Sequence, residues 1–267
     1  MSARITRVIR MTGLVLLDRR DDGVAVVTLA NPKVNALSQA LLADLYDVAV
    51  ELTMSPAGAV VITGGGRIFA AGADISEFGG PVEGQAIGLG FHRALDAVAA
   101  IPRFVIAAVS GYALGGGCEL ALACDYRIAS TRAVFGQPEI LLGIIPGGGG
   151  TQRLSRCVGS SRAKEMMMTG RQVRADEAAR IGLVDEVVEP DVLHERTLAL
   201  AAELAKGAVH GHAAIKRLVD DGLQSTLAQG LLAERAAFEQ IFHTQDSQIG
   251  VASFLEHGPG KAQFTGQ

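Results

Sequence analysis

The sequence has no tryptophan, no basic excess and only three cysteines, and each shortage excludes something. Cys118, Cys124 and Cys157 are an odd set with neither C-x-x-C spacing nor clustered histidines beside them. That argues against a disulfide framework and against a zinc site, and reads as reduced, buried thiols. The six histidines show no H-E-x-x-H or comparable ligand spacing, so no metal is assigned. A formal net charge of -4 leaves no surplus of cations to neutralise a phosphate backbone, which removes nucleic acid from the expected partners. No uninterrupted apolar run approaches the ~20 residues a bilayer requires, so no membrane insertion is expected and the protein is read as cytoplasmic. Residues 1–12 carry Arg4, Arg7 and Arg10 without the apolar stretch of a secretory signal and read as a flexible extension.

What is present is apolar and rich in glycine. With 267 residues, 49% of them hydrophobic, and 33 glycines, the chain can build one large α/β domain or a domain with an appended lobe. Gly13 to Asp18 and Val24 to Leu29, separated by Arg20-Asp21-Asp22-Gly23, predict a hairpin. Leu41, Leu45, Val48 and Leu52 recur at helical spacing behind Ser38, a candidate N-cap. Ala59 to Thr63 (AVVIT) and Phe104 to Val109 (FVIAAV) read as buried strands, with a helix from about Gly84 to Ala100 between them. Such alternation favours parallel strands joined by crossover helices. Beyond Val187-Val188-Glu189 the strand signals end, and Pro190 marks a break. Residues 13–190 are therefore read as the core and 191–267 as a helical region. Its stripes at Leu193 to Leu204, His212 to Leu223 and Leu227 to Phe242 could cover the core or a neighbouring subunit.

Two glycine-rich turns follow strand-like runs: Gly64 to Ile75 and Ser110 to Glu119. Neither carries the Lys-Ser/Thr pair of a phosphate loop, and no dinucleotide fingerprint is present. Both can expose backbone N–H groups to a ligand. The second runs into a helix predicted over Cys118 to Cys124, whose start offers free amides and partial positive charge. If an amide at Gly116 converges with one from the first turn, they form an oxyanion hole; otherwise these glycines serve close strand-helix packing. Glu119 and Glu139 are lone carboxylates in apolar surroundings. Singly, either reads as a helix-end acid. As a pair beside such amides, burial and mutual repulsion can split their pKa values into an acid and a base. Cys118 reads as core rather than as a reactive thiol, and Ser110 lacks the G-x-S-x-G elbow of a nucleophile.

These same stretches carry a family resemblance. Asn31-Pro-x-x-Asn35-Ala36-Leu37, Phe69-Ala-Ala-Gly-Ala-Asp74-Ile75, Gly111-Tyr-Ala-Leu-Gly-Gly-Gly-Cys-Glu119-Leu120, Phe135-Gly-Gln-Pro-Glu139, Gly143-x-x-Pro-Gly147-x-Gly-Gly-Thr151-Gln-Arg153-Leu and Thr169-Gly-Arg171 occur in one order. From about Gly13 to Phe254 the chain resembles the crotonase (enoyl-CoA hydratase/isomerase) superfamily. The resemblance implies a spiral of β-β-α turns followed by a C-terminal helical region used in trimer formation, as a homotrimer or homohexamer. It implies hydration of 2-trans-enoyl-CoA thioesters in fatty-acid metabolism, with CoA entering only as part of the substrate and no separate cofactor. By motif position, Glu119 and Glu139 would be the catalytic acids, and Ala73 and Gly116 the oxyanion-hole amides. Ala71, Asp74, Ile75, Ser76 and Gly147 would touch the substrate. Near the C-terminus Ile249 stands where the pattern has Glu, and His257-Gly258 where it has Lys-Arg, so Arg67 and Lys261 are the candidates for the CoA phosphates. The alternatives are a hydratase or isomerase for a specialised acyl-CoA and a non-catalytic acyl-CoA-binding homologue.

Overall fold

The computed structural model describes residues 13–267; the extension expected over 1–12 lies outside the described residues. Val15–Arg19 (β1) and Val24–Leu29 (β2) pair antiparallel, as the hairpin pattern predicts. Helix α1 (Gln39–Met54) starts where Ser38 accepts the Leu41 N–H, and it buries Leu41, Leu45, Val48 and Leu52. Then come β3 (Ala59–Thr63), β4 (Ile68–Ala70) and α2 (Pro81–Ala99). Helix α2 begins three residues earlier than its apolar spacing suggests. Pro81 takes the first helical position, and the Glu83 carboxylate accepts the Gly80 N–H at 2.8 Å. The chain continues through β5 (Val105–Val109), β6 (Tyr112–Leu114), α3 (Gly116–Ala123), β7 (Tyr126–Ser130) and β8 (Val134–Gly136). Next are α4 (Gly150–Val158), α5 (Ser160–Thr169), β9 (Gln172–Arg174), α6 (Ala175–Arg180) and β10 (Glu186–Val188). Four helices finish it: α7 (Leu193–Ala205), α8 (Val209–Gly222), α9 (Leu227–Ile241) and α10 (Gln245–His257).

The strands form two sheets, one ordered β1-β2-β3-β5-β7-β10 and a smaller one ordered β4-β6-β8-β9. Successive turns of chain place one strand in each sheet and then a helix: β3-β4-α2, then β5-β6-α3. The result is a spiral of β-β-α turns with parallel pairing from β2 to β10. Both faces of the larger sheet are covered, which is why its strands read as continuous apolar runs. Val60, Ile62, Val105, Ala107 and Val109 face the main core with α1 and α2. Their neighbours Ala59, Val61, Ile106 and Ala108 face Leu193 and Ala201 of α7.

Helix α7 thus lies on the main domain. Helix α8 is tied to it by Lys216, whose Nζ donates to Asp125 (2.9 Å) and to the Arg103 carbonyl (3.2 Å). The outer faces of α8, α9 and α10 present Ile215, Val219, Leu231, Phe238, Phe242 and Phe254 to solvent.

The small sheet aims the glycine-rich turns. Strands β4 and β6 run parallel, with Ala70 opposite Ala113, so the segments leaving their C-terminal ends emerge side by side. A Cβ added to Gly72 would lie 3.3 Å from the Leu114 carbonyl oxygen, and one on Gly115 would lie 3.7 Å from the Gly72 Cα.

Candidate active site

The two turns approach each other at Gly72 and Gly115. Leu37 and Ala73 form an isolated parallel bridge, in which Leu37 N–H donates to Gly72 O (2.8 Å) and Asp74 N–H to Leu37 O (3.4 Å). A bridge of this kind uses the groups flanking Ala73, so the N–H of Ala73 itself points away from Leu37. Gly115 adopts φ +51, a left-handed value that turns the chain from β6 into α3. Gly116 is the first residue of that helix, where an N–H has no intrahelical acceptor. Neither Gly116 nor Gly117 has room for a side chain. A Cβ on Gly116 would meet the Phe91 ring at 2.4 Å, and one on Gly117 would meet the Ala70 carbonyl oxygen at 2.1 Å.

Glu119 projects from the first turn of α3 and is 2% exposed. Its Oε1 accepts the N–H groups of Gly148 and Gly150, each at 2.7 Å. Burial pushes its pKa up, opposed by those two amides and then by the Arg153 cation. Glu139 sits in the short 3₁₀ turn Pro138–Leu142 and is half-buried. Its carboxyl lies against Gly115, where an added Cβ would be 3.0 Å from Oε1. Burial pushes Glu139 up to about 7, with the charge of Glu119 adding to the effect.

Gln137, which sequence reading did not single out, stands between the two acids. It is fully buried. A Cβ on Gly150 would be 2.9 Å from both the Gln137 amide and Glu119 Oε1. With its amide nitrogen turned toward Glu139, Gln137 donates to both carboxyl oxygens of that acid. Its one sequence signal is a lone amide inside the apolar run from Phe135 to Leu142.

The remaining expected residues are placed as follows. Ala71 donates its N–H to Val34 O (3.0 Å) on the way from β4 to Ala73. Asp74 caps the 3₁₀ turn Ile75–Glu77, accepting the N–H and hydroxyl of Ser76 through Oδ1, and its pKa is lowered by those bonds. Ile75 and Ser76 are exposed beside it. Gly147 is exposed at the entrance to the Gly147 to Gly150 segment that grips Glu119.

Arg67 borders a cleft of about 410 Å³ together with Asn31, Lys33, Asn35 and Gly66. Asn35 stitches that cleft to β4, its Nδ2 donating to the carbonyls of Gly64 (3.0 Å) and Phe69 (3.0 Å). Lys33, a single lysine in a turn, carries no pattern in the sequence. Lys261 is exposed on the tail after α10 and is not among the residues that line the cleft. The Cys118 thiol is pushed up to about 12 by burial, which suits core packing rather than nucleophilic attack. Among the described residues no group of three or more His, Cys, Asp and Glu side chains is placed to hold a metal ion. No helix among them is long and apolar enough to cross a membrane.

Comparison with known proteins identifies the family. Residues 19–267 match the family model described as enoyl-CoA hydratase/isomerase. A short-chain-enoyl-CoA hydratase of Clostridium acetobutylicum is 42% identical over 247 residues, covering 91% of this chain and 94% of that one. A probable enoyl-CoA hydratase of Mycobacterium tuberculosis is 42% identical over 248 residues, covering 92% and 96%. Among solved structures, an enoyl-CoA hydratase from Bacillus anthracis superposes with a TM-score of 0.90 at 36% identity, covering 95% of this chain and 100% of that one.

Proposed function

The chain belongs to the enoyl-CoA hydratase/isomerase family, and from that premise we propose that it hydrates short 2-trans-enoyl-CoA thioesters to 3-hydroxyacyl-CoA through Glu119 and Glu139. The observation that carries the reading is a buried Glu119 and a half-buried Glu139 beside the point where the two glycine-rich turns meet at Gly72 and Gly115. The short-chain preference rests on the name of the Clostridium relative.

The geometry supports the following sequence. The thioester carbonyl docks on the N–H groups of Ala73 and Gly116, which stabilise negative charge on its oxygen. Glu119, held through Oε1, uses its other oxygen to orient water and take its proton as the water oxygen bonds to C3. Electrons of the double bond move onto the thioester oxygen as an enolate. Glu139, whose high pKa keeps a proton available near neutral pH, delivers it to C2 as the enolate collapses. Water is added to one face, and the proton on Glu119 returns to Glu139 or to solvent.

Ala71, Asp74, Ile75, Ser76 and Gly147 are proposed to line the path of the pantetheine and acyl groups. Lys33 and Arg67 are proposed for the CoA phosphates, because the cleft they border is lined by Asn35, whose neighbour Val34 accepts the Ala71 N–H. Lys261, exposed on the tail after α10, is kept as a further candidate for them. CoA arrives with the substrate, and the chemistry asks for no further cofactor. The exposed apolar faces of α8 to α10 support a homotrimer or homohexamer, acting in the cytoplasm in fatty-acid metabolism.

The test is a panel of 2-trans-enoyl-CoA substrates of increasing chain length, followed by loss of the conjugated-thioester absorbance and identification of the product. Fastest turnover of the shortest members to 3-hydroxyacyl-CoA is expected. Binding without turnover would make the chain a non-catalytic acyl-CoA-binding protein. A migrated double bond without added water would make it an isomerase.

A further inference from the structure

Helix α4 carries a side chain that reaches back to the segment gripping Glu119. Arg153 donates through Nη1 to the Gly148 carbonyl (2.9 Å) and through Nη2 to Asp96 Oδ1 on α2 (2.7 Å). Between the two amides that bind Glu119 lies Gly149, at φ +101. A Cβ there would lie 2.5 Å from Arg153 Nη1, so guanidinium and backbone are in close contact at this point. The Arg153 side chain is 22% exposed and that of Asp96 64%. The carbonyl of Gly148 is therefore held by a cation braced against α2, while the N–H of the same residue donates to Glu119.

We propose that Arg153, braced by Asp96, is a positioning residue for Glu119. By fixing the Gly148 carbonyl it directs the amides of Gly148 and Gly150 onto a single carboxylate oxygen and leaves the second oxygen free to hold water. This rests on the reading of Glu119 as the base. A carboxylate with both oxygens equally solvated could present either one at a range of angles. With Oε1 locked, the orientation of the base is set before substrate arrives, which is where positional precision yields rate.

The charge has a second consequence. The charged groups acting on Glu119 are Arg153 from α4 and His92 from α2; Glu119 in turn acts on Glu139 of the 3₁₀ turn and on Cys118 of its own helix, and Asp96 of α2 pairs with Arg153. Burial raises the Glu119 pKa, and Arg153 opposes that rise. Removing the cation raises it further, so the fraction ionised falls at any given pH. The acid limb of kcat/KM then moves to higher pH.

The experiment compares Arg153→Met, Arg153→Lys and Asp96→Asn in kcat, KM, the pH profile of kcat/KM and folded fraction. Arg153→Met should lower kcat on the order of 10- to 100-fold with KM near the parent value, and move the acid limb upward. Arg153→Lys should leave the limb near its parent position but recover kcat only in part, because an ammonium cannot span both acceptors as a guanidinium does. Asp96→Asn should act in the same direction by up to about fivefold, as suits an exposed pair. A folded Arg153→Met with parent kcat and parent limb would overturn the proposal, as would a loss that merely tracks folded fraction with the limb unmoved. Should Arg153→Met not fold, parent kinetics in both Arg153→Lys and Asp96→Asn would overturn it equally. Glu119→Gln is measured alongside. If it hydrates at the parent rate, the base assignment fails and the positioning role with it; if it is inactive while the Arg153 and Asp96 variants are silent, the positioning role alone fails.

Discussion

Gln137 reaches Glu139 with its amide nitrogen 3.0 Å from one carboxyl oxygen and 3.2 Å from the other. Donation of this kind favours the ionised carboxylate, whereas burial favours the protonated one. Burial sets the high pKa of Glu139, opposed by its own backbone N–H and reinforced by the charge of Glu119, and the Gln137 amide adds a further donor on the side of the carboxylate. In a hydratase whose acid must release a proton to C2 and regain it each cycle, either extreme would slow turnover.

Gln137→Leu should upset that balance in a readable direction. Without the donor, the Glu139 pKa rises, and the alkaline limb of kcat/KM should move upward by roughly one unit. Glu139 must be protonated to act, so kcat/KM of the parent falls as pH rises through about 7. In the variant the fall comes later, with a lower plateau, because the carboxyl is less well oriented. Because the two acids are coupled, both limbs belong to the pair. A pH series of initial rates decides it, and an unmoved alkaline limb would detach Gln137 from Glu139.

The acids themselves should separate in two assays. Glu119→Gln and Glu139→Gln should each lower kcat on the order of 10²–10⁴ with little change in CoA-ester affinity. For Glu139 there is an accompanying effect on stability. Its folded pKa of about 7 lies above the ordinary 4.5, so folding favours the protonated form. The cost is absent below the unfolded value, grows as pH rises from 4.5 and is complete above 7, reaching up to about 3 kcal/mol. Tm of the parent should therefore decline across that window, and Glu139→Gln should flatten the decline while abolishing turnover. Parallel Tm curves for the two proteins would show that Glu139 is not desolvated in solution.

The exposed faces of the last three helices lead to a prediction about assembly. Phe238 and Phe242 pack edge to face at 5.2 Å between centroids, yet are 66% and 52% exposed. The chain should sediment as a trimer or hexamer at micromolar concentration. Phe238→Lys combined with Phe242→Lys should shift it toward monomer. Sedimentation of the parent as a stable monomer would reject the assembly.

What could be read in the sequence follows from how far each feature's partners lie along the chain. Strands β3 and β5 were visible as AVVIT and FVIAAV because the larger sheet is covered on both faces. Strands β4, β6, β8 and β9 have three residues each, too short for any period to show, yet they bring Gly72 against Gly115. Glu119 and Glu139 stood out as lone carboxylates in apolar runs, and family motifs supplied their pairing. Arg153 stood only as one member of a family motif, and its pairing was not legible because its partner Asp96 is 57 residues away in another helix. Lys261 was inferred from departures near the C-terminus, and it lies on the tail after α10, not among the residues that line the cleft.

The oxyanion hole is the hardest feature to test, since its donors are main-chain amides. Gly116→Pro would delete one N–H, but proline also brings a Cβ into the space occupied by the Phe91 ring at 2.4 Å, confounding catalysis with packing. Ala73 is the better position, because its Cβ already exists and its N–H is not used in the bridge to Leu37. Replacing Ala73 by lactic acid through nonsense suppression exchanges that N–H for an ester oxygen and keeps the methyl group. The resulting ester weakens the Gly72 carbonyl as an acceptor for Leu37 N–H, a local cost that Tm would register. Loss of one oxyanion donor should cost roughly 2.7–4 kcal/mol, or about 10²–10³ in kcat. Substrate affinity should change far less, since the charge develops only in the transition state. A folded ester variant that hydrates a short 2-enoyl-CoA at the parent kcat would remove Ala73 from the site and require another donor to face Gly116.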